Sequence, residues 1–322
     1  MKQMFGLMLA VSVIVTAADA SAQTAYPEKS IRMVVGFPPG GPSDMIARVL
    51  GQRLAEALGK PVMVENVPGA AGNIGADRVA KAAPDGYTLG LANQGAIVVN
   101  PALYKLPYDP VKDFAPISQV VVSALVVAIH PSLPVKNVQE LVALAKARPG
   151  ELTFASGGSG NQVHLAGELL KSMAGIDMSH VPYKGVALAI PDLLGGRVTM
   201  MFSPMSVALP LVRERKLRAL AVTSLRRSPA VPELPTMEES GFPGFEATAW
   251  FGLLAPAATP TTVIRKLHLE TVKALALADV RAKFADLGEE VIGNSPAEFA
   301  AIIKSEIPKW AKVIKESGIK AD

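Results

Sequence analysis

Cysteine is absent from the 322 residues of this chain. Without it the protein forms neither disulfides nor zinc–thiolate sites, so packed cores must stabilise the fold. The four histidines are spaced in neither an HxxxH nor an HExxH zinc pattern. After residue 22, no apolar run reaches the ~20 residues that a membrane-spanning helix needs. We therefore predict no metal site and no membrane span in the mature chain.

The residue patterns of the common enzyme sites are also missing. Ser156 or Ser159 with His164 is the nearest arrangement to an activated serine, but FASGG and GGSGN each miss the GxSxG elbow by one position. Neither glycine loop has the lysine and hydroxyl of a phosphate-binding P-loop, and Gly158-Ser-Gly160 is a truncated GxGxxG. We predict no catalytic residue and no cofactor. A hydrolase using these serines stays as an alternative.

The charge is small and scattered. The formal net charge is +4, and the densest basic cluster, at residues 213–218, is interrupted by Glu214. Such a mixed cluster is typical of a solvated helix end rather than of a nucleic-acid patch. We therefore predict no nucleic-acid partner.

The N-terminus has the pattern of a secretory signal peptide over residues 1–22. Lys2 gives a positive start, residues 4–18 are apolar, and small residues at 20–22 form a cleavage site. The apolar stretch is short for a membrane span, although an N-terminal anchor helix is the alternative. We expect cleavage after Ala22 and a periplasmic mature protein.

One pattern occurs twice: an apolar strand, a glycine-rich loop and a helix. IRMVVGF leads through PPGGPSD into MIARVLGQRLAEALG, and LTFASGGSGNQ leads into VHLAGELLKSMAG. A loop of this kind directs unpaired backbone N–H groups and the positive end of the helix toward one spot. Two such spots on two lobes would hold one small anion from opposite sides.

The order of elements predicts an α/β protein. Strands and helices alternate from Tyr26 to about Val122, and a second α/β segment begins near Leu125. Alternation of this kind predicts parallel strands joined by helical crossovers. A strand rich in apolar residues, ATAWFGLLAPA, and two helices close the chain. We expect each lobe to be a mostly parallel sheet flanked by helices.

Longer motifs resemble those of the Bug-type receptors, the solute-binding proteins of tripartite tricarboxylate transporters. They are VVGFPPGGPSDMIAR, PGAAGNIGADRVAKAAPDGYTL, LPYDPVKDFAPIS, HPSLPVKNVQELVALAKARPGELTFAS, HLAGELLK, HVPYKG and WFGLLAP. They occur in order over essentially the whole mature chain. The resemblance implies a two-lobed periplasmic binding protein, type II-like, with the ligand cleft between the lobes. The expected lobes are residues 23–123 plus 245–322 and residues 124–244, with hinges near 122–125 and 242–247.

The resemblance also implies a function. The protein would be a monomer that captures a small carboxylate and delivers it to membrane permease subunits. Backbone groups and ordered waters, rather than an arginine, would hold the carboxylate. Dicarboxylates, tricarboxylates, aromatic acids and amino acids all carry this group, and the sequence does not separate them. A periplasmic sensor that presents the carboxylate to a membrane signalling protein is the alternative.

Matching the motifs residue by residue gives the expected ligand-binding positions. In lobe 1 they are Phe37, Pro39, Gly40, Gly41, Ser43 and Asp44, together with Asn93, Gln94 and Gly95. In lobe 2 they are Ser156, Gly157, Gly160, Asn161, His164, Tyr183, Lys184 and Ser203. We expect Asp44 to fix its loop by capping the helix, because its charge would repel the ligand. Ser203 stands where many members of the family carry an acidic residue, which disfavours recognition of a ligand amino group.

Overall fold

The computed structural model describes residues 26–317 and has the predicted α/β fold. The expected signal peptide lies outside the described residues. The strands are β1 (Ile31–Val35), β2 (Val62–Asn66), β3 (Thr88–Asn93), β4 (Phe114–Ile129), β5 (Thr153–Ser156), β6 (Ser179–Pro182), β7 (Met200–Pro204), β8 (Arg218–Val222), β9 (Thr248–Pro256) and β10 (Glu289–Val291).

Helices flank the strands, and short helical turns occupy Ala70–Gly72, Gly95–Val99 and Asn100–Ala102. Within residues 26–317, no helix is both long enough and apolar enough to cross a membrane. The longer helices are α1 (Pro42–Leu58), α2 (Asn73–Ala80), α3 (Val138–Ala147), α4 (Gln162–Ala174), α5 (Val186–Leu194), α6 (Met205–Arg213), α7 (Thr261–Ala276), α8 (Ala278–Asp286) and α9 (Pro296–Ser317).

Strand β4 runs through both halves of the sheet. Its first part, up to Ala124, pairs with β9 and β10, and its last part, from Leu125, pairs with β7 and β8. The neighbours of β4 therefore change within one residue step. Strand β9 follows β8 along the chain and pairs with β3 and with the first part of β4, so the return crossing comes just before β9.

Each half of the sheet is mixed rather than mostly parallel. Strands β2, β1 and β3 are parallel in lobe 1, and β6, β5 and β7 are parallel in lobe 2. The linking strands β4 and β9 add antiparallel pairs to both sets. The antiparallel pairs arise because the chain passes from one lobe to the other. A strand that enters a lobe from the cleft is antiparallel to the strands whose carboxyl ends lie at the cleft. The carboxyl ends of β1, β3, β5 and β7, and the loops after them, consequently face the region between the lobes.

Separate apolar clusters stabilise the two lobes. Phe154 and Phe202 are fully buried in lobe 2, while Leu50 and Phe284 are fully buried in lobe 1. Apolar residues spaced four apart along α1 pack into this lobe 1 core on one side of the sheet. Helix α9 packs against β4 and the helical turns at Gly95–Val99 and Asn100–Ala102, on the other side of the sheet.

Candidate functional site

A small pocket of about 50 Å³ lies where the first turns of three helices meet. Helix α1 comes from lobe 1, and α4 and α5 come from lobe 2. First-turn N–H groups have no carbonyl partner in their own helix, and the positive ends of the dipoles point the same way. The pocket is therefore suited to an anion. Its lining is Phe37, Pro38, Gly41, Pro42, Ser43, Asn93, Asn161, Gln162, Val163, Gly185, Val186, Ala187, Pro204 and Phe251.

A larger cavity of about 740 Å³ adjoins this pocket, and Phe37 and Pro38 line both. Its walls are mostly apolar, and among the described lining residues Lys184 carries the formal charge. The cavity has room for the remainder of a ligand whose anionic end occupies the small pocket. Its other lining residues are Gly36, Pro68, Gly69, Ala70, Ala71, Gly72, Tyr104, Gly157, Gly158, Ser159, Pro182, Tyr183 and Leu188.

The lobe 1 glycine loop, residues 36–41, is held by Asp44. The Gly40 N–H donates to Asp44 Oδ2 at 3.0 Å, and Arg48 Nε donates to the same oxygen at 2.9 Å. Asn66 Nδ2 donates to Asp44 Oδ1 at 3.1 Å and to the Phe37 carbonyl at 3.0 Å. Burial acts to raise the pKa of Asp44, but these hydrogen bonds outweigh it and hold the pKa below its usual range. The carboxylate thus stays charged, and Arg48 compensates that charge beside an anion pocket.

Asp44 fixes the loop, although from a different position than expected. The N-cap of α1 is Gly41, which offers no side chain, and Asp44 lies in the first helical turn. From there its carboxylate reaches back to Gly40. Asn66 is a second holding residue that the sequence analysis missed. Its signal was its place at the carboxyl end of β2, the edge at which the loops gather.

The lobe 2 glycine loop, residues 157–161, is held by His164 and His180. The Gly160 N–H donates to His164 Nδ1 at 3.0 Å, and Asn161 caps α4 by accepting from the His164 N–H. His180 Nε2 lies 2.6 Å from Ser156 Oγ, which also contacts both polar groups of Gly158. The two imidazoles stack with centroids 3.8 Å apart. The loop is therefore supported from beneath by paired rings.

Comparison with known proteins decides the family. A family model described as the tripartite tricarboxylate transporter family receptor matches residues 46–319. The chain belongs to this receptor family. Protein BugT of Bordetella pertussis is 41% identical over 317 residues, which cover 98% of this chain and 96% of BugT.

Solved structures agree with this assignment. The structure of the periplasmic binding protein BugD has a TM-score of 0.88 at 38% identity, covering 92% of this chain and 100% of that one. The R. palustris protein Rpa4515 with adipate has a TM-score of 0.90 at 36% identity, with the same coverage. The chain is thus a solute-binding receptor of the Bug type and not an enzyme.

The receptor brings about half of the sequence-predicted residues to the two cavities. Those that line them are Phe37, Gly41, Ser43, Asn93, Gly157, Asn161, Tyr183 and Lys184. The others are not part of the lining of either cavity. They are Pro39, Gly40, Asp44, Gln94, Gly95, Ser156, Gly160, His164 and Ser203.

Several of the residues outside the lining have other partners. Gln94 Nε2 donates to Glu306 of α9 at 2.9 Å, and the fully buried Ser203 donates to the Pro204 carbonyl at 3.3 Å. The N–H groups of Gly40 and Gly160 donate to side chains, so these two amides maintain loop shape. Pro39 is exposed.

The start of α5 is the largest part of the lining that the sequence analysis missed. Residues 185–187 line the small pocket together with the starts of α1 and α4. The signal was a third glycine, Gly185, directly before the helical run VALAIPDLL.

The serine–histidine pair required by the hydrolase alternative is not formed. Ser156 is fully buried and contacts His180 rather than His164, and Ser159 is 2% exposed. The Ser156 hydroxyl is therefore not open to a substrate, and His164 Nδ1 already accepts from the Gly160 N–H, so it does not serve as a base for Ser159. Within residues 26–317, no three histidine or acidic side chains are grouped as a metal site would require.

Proposed function

We propose that this receptor captures a small carboxylate between its lobes in the periplasm and delivers it to the membrane subunits of a tripartite tricarboxylate-type transporter. The observation that carries the proposal is the meeting of helix starts from both lobes at one small pocket. A carboxylate there would be shared by the lobes and would favour their approach. The adipate bound to Rpa4515 supports this ligand class.

The strength of such capture is sufficient without a direct arginine contact. Each helix start favours an anion by about 0.3–1 kcal/mol. Charge-assisted hydrogen bonds from main-chain N–H groups contribute about 1.5–3 kcal/mol each, so three or four of them dominate. Micromolar binding corresponds to about 8 kcal/mol, after the costs of ordering the ligand.

The course of the chain also supports a proposal for the limits of the two lobes. We place lobe 1 at residues 23–123 plus 245–322 and lobe 2 at residues 124–244. The change of β4 neighbours between Ala124 and Leu125 lies within one residue of the first boundary, and β9 begins at Thr248, a few residues after the second. We also propose a monomer, exported with a signal peptide that is cleaved after Ala22.

Capture is tested with purified protein and one acid of each candidate class: adipate, citrate, benzoate and glutamate. We expect at least one acid to raise Tm and to bind measurably in calorimetry. Ala187→Glu places a carboxylate in the small pocket and should weaken binding by at least a hundredfold, whereas Ala187→Gln, a neutral side chain of similar size, should weaken it far less. Equal losses in the two variants would exclude an anion pocket at this position.

Delivery is tested separately, because capture alone does not identify the receiving protein. Membrane vesicles containing the cognate permease subunits should accumulate labelled ligand only when the receptor is present. The alternative sensor function would show capture without accumulation.

A further inference from the structure

The two glycine loops use the same hydrogen bond at the same spacing. In lobe 1 the Gly40 N–H donates to the side chain four residues later, Asp44, and in lobe 2 the Gly160 N–H donates to His164, also four residues later. Both glycines directly precede the N-cap of a helix that borders the small pocket. The bond therefore sets the shape of each loop at the point where the ligand would sit.

The two acceptors differ in chemistry. Asp44 is a carboxylate whose hydrogen bonds keep it ionised, so it accepts throughout the neutral range. In lobe 2 the Gly160 N–H already points at His164 Nδ1, so that nitrogen carries no proton and the ring is neutral with its proton on Nε2. Imidazole is the side chain that changes protonation between pH 5 and 8. A proton added at Nδ1 would face the Gly160 N–H and remove its acceptor.

The charged and titratable groups around His164 come from three segments. On α4 itself, Glu168 Oε1 lies 3.7 Å from Nε2 and is paired with Lys171 at 3.0 Å. On β6, His180 stacks on the His164 ring. The third segment follows the turn Asn100–Ala102, where the Tyr104 hydroxyl donates to the Ser159 carbonyl within the loop. The other strands packed against α4, β5 and β7, carry no titratable side chain.

These groups act in opposite directions. Burial acts to raise the pKa of Glu168, but contacts with His164 and Lys171 lower it, so Glu168 places a negative charge near Nε2 of the His164 ring. The Gly160 N–H opposes protonation, as does a proton on His180, since two charged rings at 3.8 Å repel each other. A proton added to the His164 ring is therefore attracted by the Glu168 charge and opposed by the Gly160 N–H that donates to Nδ1.

We infer that His164 is a positioning residue whose neutral ring holds the lobe 2 loop in its binding shape, so that acidification weakens ligand capture through this loop alone. This inference rests on the proposed function, because it assumes that the lobe 2 loop binds the captured carboxylate. Asn is the matched replacement, because its Oδ1 offers an acceptor near the place of Nδ1 and does not titrate. Leu removes the acceptor.

The first test needs no ligand. In protein labelled with ¹⁵N-glycine, the Gly160 amide resonance should shift between pH 8 and 5 in the wild type and should stay constant in His164→Asn. A Gly160 amide that does not respond to pH, or that responds equally in His164→Asn, overturns the inference. His130 is the control, because its ring contacts Ser132 and not the lobe 2 glycine loop. His130→Asn should leave the shift as in the wild type.

The second test measures affinity by calorimetry, with adipate as the probe, at pH 7.5 and 5.5. Because adipate ionises equally in every sample, the ratio of wild-type to His164→Asn affinity cancels its own titration. We expect this ratio to fall about tenfold on acidification, the loss of roughly one hydrogen bond. His164→Leu should bind about tenfold more weakly at both pH values, with Tm confirming that it is folded. A constant ratio, or one that rises on acidification, contradicts the inference.

The two tests separate failure of the inference from failure of the proposed function. If neither adipate nor another acid of the panel binds, capture of a carboxylate is wrong, and the glycine resonance still decides whether His164 controls the loop. If binding is normal and the ratio is constant, capture stands and the role of His164 is wrong.

Discussion

The two lobes hold their glycine loops with the same backbone geometry and opposite electrostatics. In lobe 1 an aspartate accepts the loop N–H and an arginine four residues later compensates it, while in lobe 2 an imidazole accepts and a glutamate follows at the same spacing. The comparison indicates that the i to i+4 bond is what the loop requires. The acceptor is free to differ, provided that it presents a lone pair in the first helical turn.

The difference has a consequence for the anion. A permanent carboxylate near the pocket is tolerated in lobe 1 because Arg48 and Asn66 bind it directly. In lobe 2 the acceptor is uncharged, so no compensating cation is needed there. The hydrogen bond to His164 is consequently sensitive to protonation of the imidazole, whereas the bond to Asp44 is not sensitive to pH in the neutral range.

Adding a methyl group to each loop glycine gives the largest contrast between the lobes. Gly40 and Gly160 both have positive φ, of 81° and 76°, so alanine is strained at either position. A Cβ at Gly40 would meet nothing within 4 Å, whereas a Cβ at Gly160 would lie 2.1 Å from Leu103 Cδ1. We expect Gly40→Ala to cost about 1 kcal/mol and Gly160→Ala about 2–3 kcal/mol, measured by urea unfolding, because the half-buried Leu103 side chain must move to admit the methyl group.

Leu103→Ala offers the control for this contrast. Combined with Gly160→Ala, it makes room for the new methyl group and should recover part of the lost stability, while it should not help Gly40→Ala. Equal costs for the two glycine variants would show that backbone strain alone matters and that the lobe 2 loop is not tightly packed.

Much of the fold follows from patterns visible along the chain. The stripe of Ile46, Leu50 and Leu54 predicts the buried face of α1, and the two strand–loop–helix units predict the loops that face the cleft. The mixed sheet was not predictable in this way. An apolar strand such as β9 has the same composition whichever direction it runs, and its direction depends on the chain having to return from lobe 2.

The site divides along a similar line. Glycines before helices mark where main-chain N–H groups gather, and Gly41, Gly157 and Asn161 do line the cavities. Side chains are harder to assign, because a polar residue near a loop serves the loop or the ligand with the same sequence signal. The side chains of His164 and Asp44 accept hydrogen bonds from the loop backbone. Their orientation depends on the rotamer and on neighbours such as His180, which stacks on His164 from 16 residues further along the chain.

A buried glutamate at the junction of the lobes extends the comparison to stability. Glu289 of β10 contacts Ser123 of β4, and the Ser206 hydroxyl of α6 faces the same carboxyl group without a well-formed hydrogen bond. Burial raises the pKa of Glu289 to about 8. Because the folded state favours the protonated form, its contribution to stability is present below the unfolded pKa near 4.5 and is lost as pH rises through 8.

Glu289→Gln should remove this pH dependence. We expect the variant to exceed the wild type in stability by on the order of 2 kcal/mol at pH 9 and to match it closely at pH 5, as followed by Tm across this range. The exposed neighbour supplies the control, since Glu290→Gln should follow the wild-type curve. If the wild type were equally stable at pH 5 and 9, Glu289 would have to be ionised within the fold.

The smallest effect concerns the lobe 1 acceptor and has the opposite pH sign. Asp44→Asn keeps an oxygen that accepts from Gly40 but loses the ion pair with Arg48, whose side chain is 56% exposed, so we expect a cost of only about 1 kcal/mol at pH 7. Because the folded-state pKa of Asp44 is lowered, its contribution is present at neutral pH and is lost as pH falls through that pKa. The gap in Tm between wild type and Asp44→Asn should therefore close in acid, as pH falls through the lowered pKa of Asp44. A gap that closed in the same range as the Gly160 shift would mean that both lobes respond to one titrating group, and the two loops would no longer be independent.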